Sequence, residues 1–339
     1  MVNAPETDNK PVPTSPLPTG VLITVAICTR NRASFLEKAV GSVLPQMTGE
    51  TELLIVDNAS MDNTAEVATR LAANHPRVKV WREEELGLSA ARNAALLRAH
   101  GRWVIFLDDD AVVEDGWLDA YRRFFSAPPA KRIAVVGGRV LMDYEAPPPG
   151  WMNAIVKFDL GSESKRIPGS AGPWGCNIAY LRQAAIEAGK FNTDLGHKGA
   201  SIGANEEIDL NLRLEKAGHE VWWLAEGNVR HNIAAERMRL GWRLRSQFNQ
   251  GRASATMRLC KIHRNPSRII YRLGRLVITP FHMAICLLAA LFTLPCRHQQ
   301  ISAGLLLRSV RIAGIGWHML MCWSDATGGT ALAKTAAGD

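Results

Sequence analysis

The sequence predicts an α/β fold, a doubly wound and mostly parallel sheet followed by a helical, membrane-associated C-terminal segment. Three observations predict it. Apolar runs of strand length alternate with helix-length stretches from Val21 to Leu107, a rhythm that buries parallel strands between two layers of helices. Short polar clusters follow three of those runs, where a sheet of this kind opens its ligand crevice beyond the carboxyl ends of the strands. Basic residues gather in the last third of the chain beside an uncharged apolar run, whereas the first two-thirds is near charge balance.

In chain order, Met1 to Gly20 is rich in Pro, Thr, Ser and Asn with almost no large apolar side chain. Residues 1–20 are therefore expected to be a disordered tail, unable to offset the entropy of ordering. Val21 to Cys28 reads as the first strand. Ser34 to Leu44 reads as a helix, with Phe35, Leu36, Ala39, Val40, Val43 and Leu44 at helical spacing and Ser34-x-x-Glu37 matching a capping box. Glu52 to Val56 is the second strand. Thr64 to Asn74 is a helix behind a second capping box, Asn63-x-x-Glu66. A short strand at Val78 to Trp81, a helix at Ser89 to His100 and a strand at Trp103 to Leu107 complete the alternation. Pro147-Pro-Pro-Gly150 breaks it, and a second half follows around Trp174 to Asn177 and Asn205 to Gly218. No internal repeat is visible. The expected layout is a catalytic-sized domain over 21–255, a basic and apolar helical region over 256–325 and a tail over 326–339.

Composition agrees with this layout. A chain of 339 residues holds one large domain plus an appendage, and 47% apolar with 21% charged residues is the balance of a globular protein. The net charge of +8 is placed by Arg237, Arg239, Arg243, Arg245, Arg252, Arg258, Lys261, Arg264, Arg268, Arg272 and Arg275, beside apolar segments and without a nucleic-acid-binding motif. A membrane surface is expected as partner and nucleic acid is not. Six cysteines lack any C-x-x-C spacing and read as reduced thiols of a cytosolic compartment.

The polar clusters are Thr29-Arg-Asn-Arg32, Asp57-Asn-Ala-Ser-Met-Asp62 and Asp108-Asp-Asp110. Three adjacent carboxylates at a strand end repel one another, so a positive group is expected there. A Mg²⁺ or Mn²⁺ ion, a hard cation taking carboxylate and phosphate oxygens, fits that need.

Four motifs occur in order: Val25-Ala-Ile-Cys-Thr-Arg-Asn31, Leu54-Ile-Val-Asp-Asn-Ala-Ser60, Gly87-Leu-Ser-Ala-Ala-Arg-Asn93 and Phe106-Leu-Asp-Asp-Asp110. With them the span Val21 to Ser254 resembles the family 2 glycosyltransferases of the GT-A fold, a Rossmann-like architecture. The resemblance implies transfer of a sugar from a nucleotide-sugar, a UDP-sugar being favoured, to a glycan or lipid-linked acceptor. It implies that Thr29, Arg30 and Asn31 line the nucleotide pocket, that Asp57 with Asn58 meets the base, and that Arg92 with Asn93 approaches the ribose-diphosphate. Asp108 and Asp110, with His231 from Asn228-Val-Arg-His231, are the implied metal ligands, Asp110 the most direct and Asp108 close to the ribose or the ion's water.

Trp174-Gly-Cys-Asn177 is similar to the family element bordering acceptor and donor sugar, which brings in Asn177. Glu206-Glu-Ile-Asp209 resembles the motif that opens a helix and supplies a general base. Glu207 aligns with the family's usual Asp, and Glu206 and Asp209 stay open as alternatives. Inversion needs one carboxylate to take the acceptor proton, and no Ser-His-Asp or Cys-His arrangement suggests a covalent route. Arg245-Ser-Gln-Phe-Asn-Gln-Gly251 resembles a further signature whose charge faces the diphosphate or forms a solvated helix face.

From Val277 to Leu294 eighteen residues carry no acid, Lys or Arg, enough to span a bilayer core. Ile301 to Trp323 carries Arg308, Arg311 and His318 and reads as interfacial. With Arg264, Arg268, Arg272 and Arg275 before the apolar run and no basic and apolar leader at the start, the catalytic domain is expected in the cytoplasm at the inner membrane. The rivals are few. A nucleotidyltransferase or a hydride-transferring enzyme needs a glycine-rich loop after the first strand, and Cys28-Thr-Arg-Asn-Arg32 has no glycine. A catalytically silent binding module of the same fold is the remaining alternative.

Overall fold

A computed structural model of the chain describes residues 22–152, 159–198, 203–260, 265–293 and 299–326. The expected terminal tails fall almost wholly outside the described residues. The first half alternates as the sequence predicts: β1 (Ile23–Thr29), α1 (Ala33–Val43), β2 (Thr51–Asp57), α2 (Thr64–Asn74), β3 (Val78–Arg82), α3 (Leu88–Arg98) and β4 (Trp103–Asp108). There follow β5 (Ala111–Val113), α4 (Trp117–Ser126), β6 (Ile133–Tyr144), β7 (Lys165–Ile167), β8 (Asn177–Leu181), α5 (Arg182–Glu187), α6 (Glu206–Lys216) and β9 (Glu220–Ile233). Three helices close the described chain: α7 (Leu240–Cys260), α8 (Asn265–Thr293) and α9 (Gln299–Ala326).

One sheet runs β3-β2-β1-β4-β8-β6-β9-β5, with β7 on β9. Its first four strands are parallel and in step, pairing Thr29 with Asp57, Asp57 with Arg82 and Cys28 with Asp108. The polar clusters after β1, β2 and β4 therefore end at one level. Beyond β4 the sheet turns mixed, because β8 is antiparallel to both β4 and β6. That reversal carries the second half of the chain back to the same edge.

Both faces of the sheet are covered. Val25, Ile27 and Ile55 pack under α1, α2 and α4, while Ala26, Leu54 and Phe106 pack under α3 and α6. Burial on both faces explains why β1, β2 and β4 read as near-continuous apolar runs without alternation.

Neither expected capping box forms. The N-cap of α1 is Arg32, which leaves Ser34 inside the first turn. Asn63 has a near-helical backbone, φ −76° and ψ 13°, and makes no capping bond. A capping residue needs an extended backbone to aim its side chain at the free amides. Asp62, one residue earlier, takes the role by accepting from Thr64 N at 3.0 Å and from Thr64 Oγ1 at 2.5 Å.

The C-terminal helices form their own packing unit. Ala255 and Leu259 of α7 meet Ile315 and Met319 of α9. A Cβ at Gly251 would stand 2.0 Å from the Arg311 carbonyl oxygen, and one at Gly314 would stand 2.0 Å from that of Phe248. Glycine at both positions lets α7 and α9 cross with their backbones in near contact. On α8, Ile270, Val277, Phe281, Ile285 and Leu288 lie on one face and are exposed. The window Leu273–Ala290 is 18 residues long, and α8 is the one helix among the described residues long and apolar enough to cross a membrane. Leu294, the end of the expected run, lies outside the described residues.

Candidate active site

The level strand ends gather the aspartate triplet. Asp109 is buried, accepting from Thr29 Oγ1 at 2.7 Å and Arg32 Nη1 at 2.9 Å. Burial pushes its carboxyl up to about 6, against the opposing charge of Arg32. Asp110 is buried among cations: Arg32 Nη1 at 2.7 Å, His231 Nε2 at 3.0 Å and Arg237 Nη2 at 3.1 Å. Burial alone would raise its carboxyl, but the His231 hydrogen bond and the three positive neighbours hold it well below the usual carboxylate range. The same bond raises His231, again against burial. Asp108 keeps a third of its side chain in solvent. The compensation that three adjacent carboxylates require thus comes in large part from the protein itself.

Arg92 of α3 is the second organising group. Its guanidinium is buried, donating to Glu206 Oε1 at 2.8 Å, to the Gly175 carbonyl at 3.1 Å and to Asp108 Oδ1 at 3.3 Å. It also lies over the rings of Phe106 and Phe191, 5.7 and 5.6 Å from their centroids. Glycine at 175 makes room for this guanidinium, since a Cβ there would stand 2.7 Å from Arg92 Nη2 and push it aside. One cation therefore ties β4, the approach to β8 and α6 together.

The three acidic residues opening α6 separate by environment. Asp209 accepts from Arg213 Nε at 2.9 Å, and Arg213 also bonds the carbonyls of Ala188 and Lys190. That carboxylate braces the end of α5 against α6, which leaves the two glutamates. Glu206 is held by Arg92, and its buried Oε2 has no partner among the described residues. Glu207 is half-buried, and burial, together with the charge of Glu206, pushes its carboxyl up to about 8.

Several expected binding residues are turned inward. The amide of Asn177 is saturated: its oxygen accepts from Trp117 Nε1 at 3.0 Å and Tyr121 Oη at 2.9 Å, and its nitrogen donates to the carbonyls of Arg139 and Gly227. No donor or acceptor is left there for a sugar. Asn93 is spent on the backbone of Phe191 in both directions. Asn58 bonds the carbonyls of Glu83 and Glu85 and the amide of Gly87, which shapes the loop into α3. Asn31, by contrast, stays exposed at the end of β1, with φ 54° and its side-chain oxygen accepting from Met61 N of the loop after β2.

Asp57 is buried between Ser60 N at 3.1 Å and Arg82 Nη1 at 2.9 Å. Arg30 is half-buried, and its Nε has no partner among the described residues. Sequence reasoning missed two site residues, Arg32 and Arg237. The first was legible only as a member of a polar cluster, the second only as part of a basic stretch.

For a cation, the chain offers Asp108, Cys176 and His231, whose ligand atoms all lie within 4.8 Å of one another. A carboxylate that is partly open beside an imidazole suits a divalent ion. Burial pushes the Cys28 thiol up to about 12 and raises that of Cys176 well above the usual range, so neither is a thiolate nucleophile in the metal-free chain.

A family model described as glycosyl transferase family 2 matches residues 24–188, from β1 through α5, and so contains all three polar strand ends. Those residues are a family 2 glycosyltransferase domain. Among its relatives is the glucosyl-dolichyl phosphate glucuronosyltransferase of Haloferax volcanii, 25% identical over 247 residues, 70% of this chain and 77% of the relative. The succinoglycan biosynthesis protein ExoA of Rhizobium meliloti is 27% identical over 237 residues, 68% of each chain. Among solved structures, the mannosyltransferase PcManGT of Pyrobaculum calidifontis, in complex with GDP-Man and Mn²⁺, superposes with a TM-score of 0.54 at 18% identity, covering 95% of this glycosyltransferase and 80% of that chain. GalNAc-T7 with UDP, GalNAc and Mn²⁺ gives 0.53 at 18%, over 70% of this chain and about half, 48%, of its own. These likenesses show the GT-A fold.

Proposed function

We propose that this glycosyltransferase moves a sugar from a nucleoside-diphosphate sugar, a UDP-sugar for preference, to a glycan or lipid-linked acceptor, with inversion and with a divalent cation, Mg²⁺ or Mn²⁺. The observation that carries the reading is the meeting of Asp108 and the Glu206–Glu207 pair through Arg92, with His231 beside them, where the parallel strands end in step.

Arg30, Asn31 and Asp57, at the ends of β1 and β2, would receive the nucleotide. Asp108 and His231 would hold the cation, with Asp110 fixing the imidazole and contributing an oxygen. When bound, the cation would offset the charge that grows on the diphosphate as the glycosidic bond breaks. Glu207, beside Glu206 and not bound to Arg92, would accept the proton of the acceptor hydroxyl as that oxygen attacks the anomeric carbon. Arg92 holds Glu206 and Asp108 in place for both roles.

Two solved neighbours carry Mn²⁺ with UDP or GDP-Man, and one relative is named for a dolichyl-phosphate-linked sugar. Both facts support the donor and acceptor classes. The exposed apolar face of α8 supports attachment to a membrane; the inner membrane, with the catalytic domain on its cytoplasmic side, is our reading of the basic residues before the apolar run.

The test is a screen of nucleotide-sugars for transfer or hydrolysis, with Mn²⁺ and with a chelator, run beside Asp108→Ala, Asp110→Ala and Glu207→Ala. Turnover with one donor that is abolished by chelator and by each variant is expected. Full activity in chelator would overturn the cation. Full activity in Glu207→Ala would move the base to Glu206.

A further inference from the structure

We propose that Cys176 is a ligand of the cation site, so that the site binds Zn²⁺ and Co²⁺ in preference to Mg²⁺. The proposal rests on the metal reading above and adds to it a residue and a selectivity.

The backbone brings the thiol there. The antiparallel pairing of β4 with β8 ends at Leu107 opposite Asn177, so the next residues outward, Asp108 and Cys176, flank one another across the strand ends. His231 arrives from β9, paired with Ala111. Carboxylate, thiol and imidazole then lie within 4.8 Å of one another. Bonds of about 2.0–2.3 Å in a tetrahedral sphere put donors about 3.3–3.8 Å apart, so the three atoms need to close by about 1 Å at most to share one ion.

The thiol is also held in place on both sides. Gly175 packs against Arg92, and the Asn177 amide is fixed by four hydrogen bonds. Cys176 is not in a disulfide.

A mixed sulfur, nitrogen and oxygen set suits Zn²⁺ and Co²⁺, whereas Mg²⁺ requires a near-octahedral shell of oxygens. On coordination the thiol proton leaves to solvent.

The experiment titrates the full chain in detergent with Co²⁺, Zn²⁺ and Mn²⁺, the last also with UDP present, and compares Cys176→Ser with Cys28→Ser. Wild type and Cys28→Ser should give a thiolate-to-Co²⁺ charge-transfer band and release a proton on adding Zn²⁺. Cys176→Ser should lose the band and bind Zn²⁺ at least about tenfold more weakly, with Mn²⁺ binding in UDP little changed. Equal Zn²⁺ affinity in Cys176→Ser, or a band that survives there, would overturn the assignment of Cys176. Binding of Mn²⁺ with UDP but no thiolate band in wild type would sink this proposal and leave the cation reading standing. Failure of wild type to bind any of the three ions would sink both. If Cys176→Ser does not fold, alkylation of Cys176 in wild type, followed by mass spectrometry, decides: protection by Zn²⁺ but not by Mg²⁺ is expected, and equal rates in both would refute it.

Discussion

At Arg92 a guanidinium is kept out of water by Phe106 and Phe191 and paired with Glu206 at 2.8 Å. A buried pair adds little over an apolar substitute, yet removing one partner strands the other. Arg92→Met should therefore cost about 3–5 kcal/mol in urea unfolding, because it leaves Glu206 as an uncompensated buried charge. The double variant Arg92→Met/Glu206→Gln should recover most of that loss; no recovery would mean that Arg92 acts by packing alone. Glu207 gives a pH prediction. Its folded value of about 8 lies above its ordinary 4.5, so the folded protein holds a proton that the unfolded chain releases. The stability this contributes is complete below the unfolded value and is lost as pH rises through about 8. Wild type should lose thermal stability across that window relative to Glu207→Gln. A base must be deprotonated, so activity should climb toward pH 8, and Glu207→Gln should fall by about 10²–10⁴-fold. A flat pH–rate profile in wild type would remove Glu207 from the proton transfer.

Elements decide what those residues can reach. The strands β1, β2 and β4 were legible because both of their faces are buried and their sequences are apolar but for Thr24, the start of β2 and the polar strand ends. Helix α2 was legible to the residue, but its cap was not, because capping depends on the backbone angle of Asn63 and not on its identity. Arg237 was illegible as a site residue, since only the path from β9 into the turn before α7 carries it to within 3.1 Å of Asp110. The crossing of α7 and α9 is set at the same scale. Gly251→Leu should force them apart, with an overpacking cost of about 1–3 kcal/mol, while nucleotide affinity is kept. Gly241→Leu, in the same helix with open space around its Cβ position, is the control. Equal melting temperatures of the two variants would show that the close approach does not matter.

At the scale of the whole molecule, a sheet domain bearing polar strand ends is joined to a helical unit whose α8 presents an apolar face to its surroundings. If that face lies in lipid, the protein should sediment with membranes, stay there in high salt and leave them in detergent; release by salt alone would show a purely electrostatic attachment. The sequence by itself determined the α/β alternation, the family and the level of the site, because strand burial and the polar clusters behind it are local patterns that repeat along the chain. Tertiary structure alone decided which of the clustered residues are free to act. Asn177 and Asn93 face the protein because distant backbone groups claim their amides, and Asp209 braces α5 because Arg213 reaches across to it. Glu207 is left with a raised carboxyl because burial and the charge of Glu206 outweigh the opposing charge of Arg92, and Asp108 and Cys176 meet only because β8 runs antiparallel to β4. Each of these depends on contacts between segments far apart in the chain, and such contacts leave no periodic trace in the sequence.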